Sequence, residues 1–160
     1  MLPGDLLFIH GTNPLTALIE WAESNPFSHV IVVKNDHEGY QAYPGRKIGI
    51  VNIDKYLLDP ANEIYTCPIL TDEQRSQIIA TAESFVGGNY GYKDIVADGL
   101  RYILHLKIHD ISDISTLDCS MFAHECYLRA GVRLTWAPVP SVADLSYSPL
   151  LIGKRPWEVG

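Results

Sequence analysis

Basic residues are scarce in this chain: 12 Lys and Arg stand against 19 Asp and Glu in 160 residues, a net charge of −7 at pH 7. No run of Lys or Arg builds a basic face, which argues against nucleic-acid binding. Cysteine is nearly absent too, with Cys67, Cys119 and Cys126 alone. An odd count at these spacings is neither a disulfide framework nor a zinc site. Placed on one helix, Cys119 and Cys126 would stand about 10 Å apart at ~1.5 Å rise per residue, too far to bridge. Reduced thiols and a reducing compartment follow. Long apolar runs are also missing: none approaches the roughly 18 residues of a membrane span. The opening MLPGDLLFIHG has neither the basic nor the apolar region of a signal peptide. The expectation is a protein without a transmembrane segment, cytoplasmic as synthesised, which something else would have to deliver to any target outside the cell membrane.

What is present reads as an ordinary globular chain, 47% hydrophobic and 19% charged. Without repeats, low-complexity tracts or a linker, residues 1–160 form one domain. Asp5 to His10 reads as a strand, and Asn13-Pro14 opens a short helix to about Glu23. Ser28 to Lys34 is β-branched and reads as a buried strand. A turn over Asn35–Gly39 leads to a strand at Tyr40–Tyr43, and further strands cover Lys47–Ile53 and Glu63–Ile69. Thr71-Asp72-Glu73-Gln74 is a capping-box pattern. The helix it starts carries Ile78, Ile79, Ala82, Phe85 and Val86 on one face and stops at Gly87-Gly88. A second helix covers Tyr92 to about His105, and a loop His109–Thr116 precedes a helix that ends near Arg129, with Gly131 as its C′ residue. The Pro-rich tail from Arg133 wraps the surface.

Cys119 is the sharpest chemical feature. With Asp118 or Thr116 as cap, it falls in the first turn of its helix. Unpaired backbone N–H groups there favour thiolate over thiol and can hold an oxyanion. Ser120 beside it is small and polar. A buried structural thiol is the alternative that position alone leaves open. His29 begins an otherwise apolar strand, and imidazole suits a base that deprotonates a thiol. Gln41 lies on the next strand, where a hairpin through 35–39 brings its amide oxygen to the other ring nitrogen. Glu38 is a rival placed in the turn. His105 and His109 are spaced i, i+4, but HLKIH is not the zinc pattern H-E-x-x-H, so no metal and no other cofactor is expected.

Gly4-Asp5-Leu6-Leu7-Phe8, Ser28-His29-Val30, Gln41-Ala42-Tyr43-Pro44-Gly45 and Asp118-Cys119-Ser120-Met121-Phe122, in this order, resemble the permuted branch of the NlpC-type papain-like superfamily, in the manner of YiiX/YaeF-like proteins. In that branch His comes first and Cys last. The resemblance runs from Gly4 to about Leu145. It implies an α+β fold, a circularly permuted papain-like half-barrel of antiparallel strands packed on helices that include the Cys-bearing one. It implies hydrolysis or transfer at amide, ester or thioester bonds, with Cys119 as nucleophile, His29 as base and Gln41 in the third polar position. There the relatives commonly carry Glu, so the neutral amide is a departure. Tyr90, after Gly87-Gly88-Asn89, resembles the Tyr that follows the family's second-helix glycine, which either packs or, with Asp118 and Ser120, completes the expected cleft and oxyanion set. The related acyltransferases have Asn-Cys-Glu-His-Phe around the nucleophile, which this chain lacks.

The expected function is a cysteine amidase or peptidase acting on peptidoglycan peptide through an acyl-enzyme. A lipid or acyl thiol hydrolase or acyltransferase is the second expectation. The third is a structural or binding module of a phage tail or secretion assembly.

Overall fold

Alternating apolar residues make the strands two-faced, and the sheet they form is the frame of the molecule. The computed structural model describes residues 1–11, 25–42, 47–87 and 112–154, with the backbone alone for 112–118. The elements are β1 (Leu6–His10), β2 (Phe27–Val33), β3 (Glu38–Gln41), β4 (Gly49–Asn52), α1 (Asp54–Leu57), β5 (Glu63–Thr66), α2 (Asp72–Phe85), α3 (Ser112–Arg129), α4 (Val142–Ser146) and β6 (Ile152–Lys154). The six strands form one open sheet in the order β4-β3-β2-β1-β5-β6, every pair antiparallel. An open antiparallel sheet packed against helices agrees with the expected half-barrel.

One face of the sheet carries Leu6, Phe8, Val30, Val32, Tyr40 and Ala42, and it packs on Ile78, Ala82 and Phe85 of α2 and on Phe122, Ala123, Cys126 and Tyr127 of α3. The residues between them, Leu7, Ile31 and Val33, join Ile53 and Ile64 on the other face, where Tyr56 and Leu57 of α1 cover them. This is period-two patterning acting on both sides of the sheet. Gly39 is required by that packing: a Cβ there would meet Ile31 Cγ2 at 2.4 Å. The β1–β2 register pairs Ile9 with His29 and then His10 with Phe27, so Ser28 is the extra residue of a bulge. Bulges re-aim side chains at strand ends, and this one immediately precedes His29.

Several expectations match. Thr71 and Gln74 form the reciprocal capping box of α2, and Gly131 takes φ +80° after α3. Others are corrected. Helix α3 begins at Ser112, well before Asp118, because no Gly or Pro between them stops it. Glu38 opens β3 rather than sitting in the turn, with Lys34 Nζ 3.1 Å from its carboxylate. The tail is partly core: Ser141 and Asp144 form a second capping box, and Val142 and Leu145 of α4 are buried. β6 then adds the sixth strand on β5. The helices expected at 14–23 and 92–105, and Trp21, Tyr43, Tyr90, His105, His109 and Trp157, lie outside the described residues.

Candidate active site

The β2–β3 hairpin does what its spacing suggested. It pairs Val32 with Tyr40 and Val33 with Gly39, and His29 Nε2 lies 3.2 Å from Gln41 Oε1. An amide oxygen only accepts, so Nε2 carries the proton and donates. That tautomer leaves Nδ1 as the basic nitrogen. Burial pushes the His29 pKa down to about 4, and the Gln41 hydrogen bond offsets part of the drop. The ring is therefore neutral at pH 7, the state a general base needs.

Cys119 lies on α3, which packs directly on β2. The structure joins His29 to Gln41 by a hydrogen bond; it relates Cys119 to that pair through the packing of α3 on β2. Cys119 is the eighth residue of α3, not part of its first turn. Its N–H therefore belongs to the i→i−4 ladder of the helix, and the oxyanion role read for a helix start at Cys119 does not hold. Its side chain is 0% exposed and belongs to the helix-side core. Ser120, expected in the cleft, is buried and donates its hydroxyl to Pro140 O at 2.7 Å, fastening the 132–140 segment to α3. Asp118 contributes backbone to α3, and its side chain, like Tyr90, is outside the described residues. The other two thiols are buried, and burial pushes both upward in pKa, Cys126 further. They are poor nucleophiles at neutral pH.

Sequence reasoning treated Asp5 as a motif letter and missed what it does. Arg75 of α2 donates from Nη1 to Asp5 Oδ1 at 3.0 Å and to Pro3 O at 2.9 Å, and from Nη2 to Cys67 O at 3.2 Å. Asp5 Oδ1 also accepts from Thr66 Oγ1 at 2.8 Å. This buried ion pair ties α2 to the central strands. Tyr127 of α3 donates to Gly4 O, beside it. A charged residue entering an apolar strand was the available signal. Among the described residues no three His, Cys, Asp or Glu side chains come together as a metal site.

No family model matches the chain, and no curated protein matches it. A solved structure does. The crystal structure of metalloprotein yiiX from Escherichia coli O157:H7 (DUF1105) superposes with a TM-score of 0.65 over 96% of both chains, at 15% sequence identity. The class defined is thus an α+β fold shared with YiiX. At that identity the likeness is one of fold, and it agrees with the YiiX-like order of motifs. That protein is named a metalloprotein; among the described residues here no three or more His, Cys, Asp or Glu side chains group to hold a metal.

Proposed function

We propose that this chain is a cysteine amidase or peptidase of the permuted NlpC-type papain-like kind, one domain over residues 1–160, cleaving peptidoglycan peptide or a related amide. The observation that carries the reading is the His29–Gln41 hydrogen bond, made at the end of the strand on which the Cys119 helix packs. In the proposed reaction His29 Nδ1 takes the proton from Cys119 Sγ–H as sulfur attacks the carbonyl carbon. The proton passes to the leaving amine as the C–N bond breaks. Water, deprotonated by the same nitrogen, then attacks the acyl carbon; the C–S bond breaks, the acid leaves and the proton returns to Sγ. Burial disfavours imidazolium, so His29 rests neutral and takes up the proton during attack. Since Cys119 is 0% exposed, the cover over Sγ shifts when substrate enters.

The test is turnover of purified peptidoglycan fragments by the full chain. Cys119→Ala is expected to lower it by at least about 10³-fold, with an unchanged circular-dichroism spectrum. Full activity of that variant would end the reading.

The burial of Cys119 favours a second reading, in which the fold serves as a binding module of a phage tail or secretion assembly. Iodoacetamide labelling separates the two. Cys119 modification in the folded protein that His29→Gln slows supports catalysis, and a Cys119 that stays unlabelled while the protein is folded supports the module.

A further inference from the structure

The segment that Ser120 fastens to α3 presents an arrangement the proposed reaction does not use. Trp136 is 85% exposed. Its position is held, not loose: Thr135 Oγ1 accepts from Ala137 N at 3.1 Å, closing a small turn that brackets the indole. Arg133 lies against one face of the ring, its guanidinium carbon 4.8 Å from the centroid. That leaves the other face of the indole open.

Arg133 has no counter-ion among the described residues. Glu125 on α3 is bound to Arg129 at 2.7 Å. His124, close enough to feel the Arg133 charge, is 7% exposed, and its Nδ1 has no hydrogen-bond partner among the described residues. Burial and the Arg133 charge both hold it neutral. A free guanidinium in a chain of net charge −7, beside a large exposed aromatic, is a composite recognition surface. The flat apolar ring takes the C–H face of a sugar. The guanidinium edge, with its fork of N–H donors, takes a carboxylate in two parallel hydrogen bonds.

We propose that Trp136 and Arg133 form a binding spot for a saccharide that carries a carboxylate. The overall negative charge and the lone guanidinium at this spot disfavour a nucleic-acid strand, which needs a row of cations along its phosphates. The proposal rests on neither Cys119 nor the hydrolase reading.

The test uses the full chain carrying Cys119→Ala, so that turnover cannot consume the probe and failure of the hydrolase reading leaves the result untouched. Saturation-transfer NMR is recorded with N-acetylmuramic acid, with N-acetylglucosamine as the same ring lacking the carboxylate, and with a short single-stranded oligonucleotide. Saturable binding of N-acetylmuramic acid is expected, at least fivefold tighter than that of N-acetylglucosamine. Adding Trp136→Ala should abolish it, and adding Arg133→Gln should remove the preference for the acidic sugar. Both side chains are on the surface, so both variants fold. Equal binding of the two sugars, binding that survives Trp136→Ala, or tighter binding of the oligonucleotide would each overturn the proposal.

Discussion

His29 is oriented by an amide where a carboxylate would add charge, and its acid–base behaviour follows from that choice. With its pKa held near 4 by burial, the proposed base stays neutral far into acid. The acid limb of kcat/KM is expected close to pH 4 instead of near the ordinary 6.5. Gln41→Glu places a negative charge beside the ring, favours imidazolium, and should move that limb upward. Stability carries the same signature. The folded pKa lies below the unfolded one, so between about pH 6.5 and 4 the unfolded chain binds a proton that the folded chain refuses. Stability is therefore full above pH 6.5 and falls as pH drops toward 4, by a total on the order of 3 kcal/mol. Urea midpoints at pH 7 and pH 4.5 would show it, and His29→Gln should flatten the difference. At this scale the sequence was legible where spacing did the work: a turn between two strands was enough to bring Gln41 to His29. It was illegible at Cys119, where Asp118 and Thr116 are good caps but equally admissible inside a helix, and only the absence of a breaker back to Ser112 decides between them.

Among the elements, α2 depends on one ion pair. Removing Arg75 leaves the Asp5 carboxylate buried without its cation. Arg75→Met should therefore destabilise the fold by about 3–5 kcal/mol, measured by urea denaturation. Replacing both, as Asp5→Leu with Arg75→Met, should recover much of the loss, because no uncompensated charge then stays in the core. Strands β2 and β3 depend on a missing methyl group. Gly39→Ala drives a Cβ into Ile31 Cγ2 and should cost about 1–3 kcal/mol; Ile31→Leu, which has no branch at Cβ, should restore part of it in the same assay. The capping box of α2 could be read from four consecutive letters, because its chemistry is local. Strand β6 could not. Its three residues are exposed, and what makes them a strand is a pairing with β5 almost ninety positions earlier.

For the whole molecule, the order of parts proved more informative than any single part. A structure of 15% identity shares the fold over 96% of each chain, so few individual residues are needed to specify it. What is kept is the alternation that gives each strand a helix side and an α1 side. Both sides are legible in runs such as SHVIVV and LLFIH. The identity of the neighbouring strand is not, because β1 sits between β2 and β5 through contacts that no local window contains. Among the described residues no helix is long and apolar enough to cross a membrane, which follows directly from the missing apolar runs.

The position of α3 in the chain has a consequence for how the protein is made. The sheet's helix side, with Val30, Val32 and Tyr40, is synthesised long before Phe122, Ala123 and Tyr127 exist to cover it. At roughly 5–20 residues per second the interval on the ribosome lasts several seconds. Throughout it that apolar face has no α3 to cover it, so an unfinished copy is sticky, and its safety while being made is a matter for chaperones.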